Sequence, residues 1–329
     1  MTTQRPINQK RHYLALSGGI GGAKLVLGLS HLLQENLYVV ANTGDDFIHW
    51  GLHISPDLDT VMYTLAGLNN ADMGWGLADE SWNCLAAMKQ LNQDSWFQLG
   101  DRDLATHLTR SHLLAEGHSL SAVMDILRRQ FAIKSRLIPM SDDPVRTQVN
   151  LKNGQTLPFQ QYFVREKCIP EVRSFSFIGS ATATPSVAFL EALHDPALAG
   201  IIVCPSNPFV SIDPILSLPG LIQELKNSPA PVIAVSPIVA GQALKGPSAK
   251  IMQELGWPQT ATRVAQHYAT FIDGFILDQQ DAALQSAIEQ EVCKVQVAQT
   301  VMKSLDDRIH LAKICLDFAQ TLLRTKDTP

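Results

Sequence analysis

Two short segments near the start of the chain have residue types and spacing suited to phosphate and metal chemistry. The first is Ser17-Gly18-Gly19-Ile20-Gly21-Gly22-Ala23-Lys24. Backbone without side chains can press against a phosphate there, while free N–H groups and the positive end of a helix dipole face the anion. Lys24 adds a charge one turn further on. The spacing is not that of a P-loop, which closes on Gly-Lys-Ser/Thr, nor of the dinucleotide fingerprint, whose third glycine position holds Lys24. The plainer reading is a tight strand-to-helix turn that uses glycine only for backbone freedom. The second segment runs from Asn42-Thr43-Gly44-Asp45-Asp46 to Ser55-Pro56-Asp57-Leu58-Asp59-Thr60. Its carboxylates suit Mg²⁺, which takes one or two of them and keeps water or substrate phosphate as its other ligands. Asp57 and Asp59 could equally complement a helix dipole, at about 0.3–1 kcal/mol each. That does not account for Asp45-Asp46 beside a glycine at a strand end, so a metal is the favoured reading.

These segments need elements to hold them. The apolar run Tyr13 to Leu16 precedes the glycines, and Leu25, Val26, Leu27 and Leu29 follow at positions that suit the buried side of a helix. Leu37 to Ala41 forms the next strand and places Asn42 to Asp46 at its carboxyl end, the edge where open α/β sheets bind ligands. Ser55 reads as a helix N-cap with Pro56 at the first helical position, ahead of Val61, Met62, Leu65 and Leu68. Residues 71–134 read as a helical insertion, with periodic Leu85, Met88 and Leu91, then Leu104, Leu108 and Leu113, then Val123, Ile126 and Leu127. Within it, Asp101-Arg102-Asp103 is either an ion-paired helix cap or a means of aiming Arg102 at a phosphate.

Strand texture follows from Arg136 to Met140, from Val145 to Leu151, through an Asn153-Gly154 hairpin turn, and from Leu157 to Val164. Doubly wound alternation resumes with Glu171 to Ile178, Ile201 to Cys204, Val232 to Val235, Phe275 to Leu277 and Val292 to Val297, before a helix from Leu305 to about Leu323. The pattern predicts an α/β fold: a Rossmann-like, doubly wound, mainly parallel sheet with a helical insertion and a β-hairpin. Residues 12–70 and 135–325 form the core, and 71–134 the insertion. Pro205-Ser206-Asn207-Pro208 and the stretch from Ser236-Pro237 to Lys245-Gly246-Pro247 fall on the same sheet edge. Their prolines could hold Ser206, Asn207, Ser236 and Lys245 toward a shared crevice, or the loops are plain turns with capping side chains.

With 46% apolar and 17% charged residues among 329, a net charge of −5 and no basic run, the chain is an ordinary globular protein without a general nucleic-acid surface. No apolar stretch reaches the roughly 20 residues a membrane span needs, and the polar start of the chain lacks a secretory h-region. Cysteines 84, 168, 204, 293 and 315 are scattered and suggest neither zinc nor a disulfide framework, so a cytoplasmic setting is expected.

The glycine loop, Asn42 to Phe47, Ser55 to Leu65, Gly100 to Leu108, Pro139-Met140-Ser141-Asp142-Asp143, Gln161-Tyr162-Phe163-Val164, Pro205 to Pro208 and Lys245-Gly246-Pro247 together closely resemble the CofD family, the 2-phospho-L-lactate transferases of coenzyme F420 biosynthesis. The resemblance runs from about residue 12 to 320. It implies a transferase that joins a GDP-activated three-carbon acid (2-phospholactate, phosphoenolpyruvate or 3-phosphoglycerate) to the deazaflavin Fo, forming a phosphodiester and releasing GMP, with Mg²⁺ as cofactor and a homodimer as the assembly, for which an exposed apolar helix such as Leu305 to Leu323 could serve. It implies Asp45 and Asp59 as metal ligands with Asp57 close behind, Gly18, Gly19, Gly21, Gly22 and Lys24 holding a diphosphate, and Asn42, Asp46, Ser55, Thr60 and Arg102 in the substrate site. Asn207 and the Ser236 to Lys245 loop, with Ser206, would line the nucleotide or deazaflavin pocket. The related gluconeogenesis-factor group, a nucleotide-sugar or dinucleotide-binding regulator, is the alternative; Asp57-Leu58-Asp59-Thr60 and Asp101-Arg102-Asp103 favour the transferase.

Overall fold

A computed structural model of the chain describes residues 11–70, 73–243 and 246–326. Its first half runs β1 (His12–Ser17), α1 (Ile20–Leu33), β2 (Leu37–Ala41), the hairpin strands β3 (Phe47–His49) and β4 (Leu52–Ile54), then α2 (Pro56–Ala66). Helices α3 (Asn83–Gln90), α4 (Asp101–Ala115) and α5 (Leu120–Gln130) fill the stretch before β5 (Arg136–Pro139). Strands β6 (Arg146–Leu151), β7 (Thr156–Pro158) and β8 (Val172–Ile178) follow, then β9 (Leu198–Val203), β10 (Val232–Val235), the short pair β11 (Ile238–Val239) and β12 (Gln242–Ala243), β13 (Gly274–Asp278) and β14 (Lys294–Ala298). A C-terminal helix, Leu305–Lys326, closes the chain.

Seven strands form one parallel sheet in the order β14-β13-β10-β9-β1-β2-β5. All six residues of β1 are buried, as expected of a central parallel strand covered on both faces. Its side chains alternate between two cores: Leu14 and Leu16 on one face with Val40, Ile201 and Val203, Tyr13 and Ala15 on the other with Val39 and Ile202. The chain leaves β1 for β2 on one side, and β9 lies on the other. The order therefore reverses between β1 and β9, and the crevice beyond their carboxyl ends is where such a fold binds ligands. Helix α1 covers this region and packs against α2 and the C-terminal helix. Gly28 permits that approach, because a Cβ there would run into the Arg308 backbone.

Three expectations change. Glu171 to Ile178 was expected to continue the doubly wound sheet. Instead β8 pairs antiparallel with β6, which also pairs with β7 through the Gly154 turn (φ 87°), making a separate three-stranded sheet. Period-two alternation specifies a strand but not its sheet. The strand expected from Leu157 to Val164 stops at Pro158, and Gln161–Arg165 is a helical turn that buries Tyr162 and stacks Phe159 on Phe163 at 5.4 Å. The apolar face of the C-terminal helix, proposed to serve a dimer, is used within the chain: Leu311, Ala312, Cys315 and Ala319 are fully buried against the sheet and α1. The β3–β4 hairpin was not foreseen. Its turn places Trp50 (φ 51°) and Gly51 (φ 77°) in the left-handed region, and Trp50 is an unusual residue there.

Candidate active site

The glycine loop joins β1 to α1, and two other segments press on it, the loop after β9 and the first turn of α2. A Cβ on Gly18 would strike Ser211, one on Gly21 the Pro205 carbonyl, and one on Gly22 the Ser17 and Ser206 hydroxyls, while a Cβ on Gly19 would lie 2.6 Å from Asp57 Oδ1. Close approach, beyond mere backbone freedom, thus explains the four glycines. The Gly18 N–H donates to Ser206 Oγ (3.0 Å), tying the loop after β9 to the loop after β1. Asn207 Oδ1 accepts from Phe209 N (3.0 Å) and so caps the turn Pro208–Ile212 that carries Ser211.

Asn42, fully buried at the end of β2, organises the acidic residues. Its Nδ2 donates to Asp45 Oδ1 (3.2 Å), Asp57 Oδ2 (3.0 Å) and the Val210 carbonyl (3.2 Å), while its Oδ1 accepts from Gly44 N (2.7 Å). One amide therefore gathers two carboxylates from different elements at the mouth of the glycine loop. Asp57 also accepts from the Gly19 N–H and the Ser211 hydroxyl, so a carboxylate faces the N-terminus of α1. Burial nonetheless pushes its pKa up to about 7 against those hydrogen bonds. Asp45 is raised well above the usual carboxylate range, first by burial and then by the negative charges of Asp57 and Asp46, although Gln160 Nε2 donates to its Oδ2 (3.1 Å). Asp46 is pushed up to about 8 by burial; Ser55 Oγ donates to its Oδ2 (2.8 Å) and its Oδ1 has no hydrogen-bond partner. His53, 3.7 Å from Asp46, is lowered to about 4 by burial and by the nearby Arg110 and Arg146 charges.

Asp59 lies against a positive charge of the protein itself. Both its oxygens meet the guanidinium of Arg110, Nη1 at 3.1 Å from Oδ2 and Nη2 in a shorter contact with Oδ1. The set Asp45, Asp57, Asp59 is therefore not assembled as a ligand trio, and among the described residues no group of three or more His, Cys, Asp or Glu side chains has metal-holding geometry. The pair that fits a cation is Asp45 with Asp57: two desolvated carboxylates held side by side, beside an unpartnered Asp46 oxygen, and two suffice for Mg²⁺ when phosphate and water complete its shell. Arg110 was not singled out from the sequence. It looks like any helix-surface arginine until α4 is packed, whereupon it is 0% exposed.

Other expected residues scatter. Lys24 Nζ reaches the Met302 carbonyl (3.4 Å), beyond β14. Arg102 is a helix-end residue on the insertion: its Nη1 donates to the Ala78 carbonyl (2.9 Å), and it lines a groove of about 410 Å³ with Leu68, Leu127 and Phe131, away from the glycine loop. The surrounding acids cap helices reciprocally, Glu80 accepting from the N–H groups of Arg102 and Asp103, and Asp101 from those of Asn83 and Cys84. Ser236 Oγ donates to the Ile238 carbonyl (2.8 Å) and accepts from Ile238 N, closing its own turn. Ser55 occupies the N-cap position of α2 with Pro56 next, but its hydroxyl serves Asp46 instead of the helix backbone. Thr60 is half-buried on α2, and Lys245 lies outside the described residues.

A doubly wound parallel sheet with a glycine loop and a buried carboxylate pair at its switch point defines an α/β protein of the Rossmann-like class. Its overall shape is shared by a UPF0052-family protein from Bacillus halodurans, with a TM-score of 0.60 over 94% of this chain and 99% of that one at 12% identity. The sequence goes further. The model of the family described as 2-phospho-L-lactate transferase CofD matches residues 14–314, and the chain belongs to that family. It is 39% identical over 314 residues to a phosphoenolpyruvate transferase of Kitasatospora aureofaciens, covering 93% of this chain and 97% of that one. It is 37% identical over 302 residues to a 2-phospho-L-lactate transferase of Methanosarcina mazei, covering 92% and 98%. The chain is accordingly an enzyme of the phospholactate transferase type. No helix among the described residues is long and apolar enough to cross a membrane.

Proposed function

We propose that the protein transfers the phospho-acid part of a GDP-linked three-carbon acid to the deazaflavin Fo in coenzyme F420 biosynthesis. The terminal ribityl hydroxyl oxygen of Fo bonds to the phosphorus that bears the acid, the bond from that phosphorus to GMP breaks, GMP departs, and the hydroxyl proton passes to a carboxylate of the cluster. The observation that carries this reading is the Asn42-held pair Asp45 and Asp57 at the mouth of the glycine loop. When bound there, Mg²⁺ would neutralise charge on the phosphates undergoing displacement. The protein's own part is positioning. Backbone N–H groups at the start of α1 hold phosphate oxygens, Asn42 keeps the two carboxylates side by side, and Ser206 and Ser211 fix the shape of the loop. Asp57 accepts from the Gly19 N–H and, with Asp45, would hold the metal. No enzyme nucleophile is needed. A homodimer in the cytoplasm, as for the family resembled, belongs to the same proposal.

The relatives transfer different acids by name, phosphoenolpyruvate in some and 2-phospholactate in others. Fo and Mg²⁺ supplied with GDP-linked forms of 2-phospholactate, phosphoenolpyruvate and 3-phosphoglycerate, followed by mass, test the activity and the acid together. One acid is expected to yield GMP and a deazaflavin phosphodiester in equal amounts. Retained nucleotide binding without product from any of them would favour a nucleotide-binding regulator.

A further inference from the structure

The side chain of Arg110 is fully buried on α4, in the helical insertion, yet its guanidinium reaches two points of the Asn42 to Thr60 segment. Nη1 lies 3.3 Å from the His53 carbonyl at the end of β4 and 3.1 Å from Asp59 Oδ2, and Nη2 meets Asp59 Oδ1 in the first turn of α2. Between these two anchors lie Ser55, which holds Asp46, and Asp57, which faces the glycine loop. A second contact runs alongside: Tyr63 of α2 donates to Asp103 of α4 (2.6 Å), and His107 stands 3.2 Å from Asp103 and 3.2 Å from Arg110 Nη1. The same network thus joins α4 to two successive turns of α2. A planar fork is suited to this task because its two arms fix direction as well as distance, which a lysine ammonium does not.

We propose that Arg110 is a positioning residue of the transfer reaction: by gripping Asp59 and the His53 carbonyl it fixes residues 53–59 and so places Asp57 beside Asp45. The helical insertion is then part of the catalytic machinery, and Asp59 acts through Arg110 instead of binding a ligand itself. The inference rests on the proposed transfer for its kinetic consequence, but its structural consequence is independent of it.

The test compares the wild type, Arg110→Lys and the neutral pair Asp59→Asn/Arg110→Gln, each checked for folding by its thermal transition, by amide hydrogen exchange of residues 53–59 and by steady-state kinetics. In the folded neutral pair, exchange over 53–59 is expected to rise about tenfold while the central sheet is unchanged. kcat is expected to fall about 100-fold, as misplacement by an ångström does, with KM for the GDP-linked substrate changing less than about threefold. Arg110→Lys is expected to recover part of both effects and still to show about threefold faster exchange over 53–59. Wild-type exchange and kcat in a folded neutral pair overturn the proposal; if that pair does not fold, wild-type exchange in Arg110→Lys does so. An inactive wild type would overturn the transfer reading, and exchange over 53–59 would still decide the role of Arg110.

Discussion

Asp57 stands where a side chain on Gly19 would begin, its Oδ1 2.6 Å from the position a Cβ would take. The glycine loop is therefore shaped by the acidic segment as well as by any phosphate. Gly19→Ala must push Asp57 away from Asn42. It is expected to lower kcat about 100-fold with little further loss when Asp57→Asn is added, because both changes remove one arrangement. Losses that multiply in the double variant would show that the two residues act separately.

The Asp45–Asp57 pair sets function against stability. Two buried carboxylates repel each other and raise each other's proton affinity, so Asp45→Asn is expected to raise the melting temperature of metal-free protein while lowering turnover about 1000-fold or more. Calorimetry with and without Mg²⁺ checks the first effect, since Mg²⁺ should stabilise the wild type and not the variant.

The raised carboxylates also fix a pH trend for the metal-free form. Asp57 and Asp46 titrate near 7 and 8 when folded against about 3.9 for a free aspartate, so between those values the folded state binds more protons than the unfolded one. Their favourable contribution is complete below about pH 4 and is lost as pH rises through 7 to 8. His53, lowered to about 4, acts in the opposite sense, gaining stability from pH 4 up to about 6.5 and nothing beyond. Above pH 6.5 the carboxylates act alone, and the metal-free melting temperature should fall toward pH 8.5. Asp46→Asn should flatten that slope; a slope unchanged by it would remove Asp46 from the account.

Arg102 marks the outer limit of the site. Its guanidinium donates to the Ala78 carbonyl on an exposed helix end, so Arg102→Ala is expected to cost about 1 kcal/mol of stability and to change KM for the nucleotide substrate less than about threefold. A tenfold rise in KM would mean that it meets substrate after all.

What the sequence revealed was local. The strand-loop-helix around Gly18 to Lys24 and the strand end at Asn42 to Asp46 follow from apolar runs and turn residues within a few positions of one another. The sheet edge they share follows from the fold class. The partners that give the site its geometry were not legible because they are supplied by tertiary packing. Ser211 is brought to Gly18 by a turn more than 190 residues away, and Arg110 comes from a helix whose polar positions resemble ordinary surface. The partner of Asp59 was hidden for the same reason, since a carboxylate in a first helical turn looks alike whether it faces a cation in solution or a guanidinium on another helix. Asn42 was named as a binding residue, but its part as the link between two carboxylates depends on α2 returning to β2.

In the proposed reaction Asp45 and Asp57, held by Asn42, carry the metal that meets the phosphates at the glycine loop. An anomalous-difference map of crystals grown with Mn²⁺ and GDP decides whether they do. A single metal peak is expected within bonding distance of Asp45, Asp57 and diphosphate oxygens at the start of α1, with Arg110 still gripping Asp59. A peak bonded to Asp59, with Arg110 displaced, would contradict this placement.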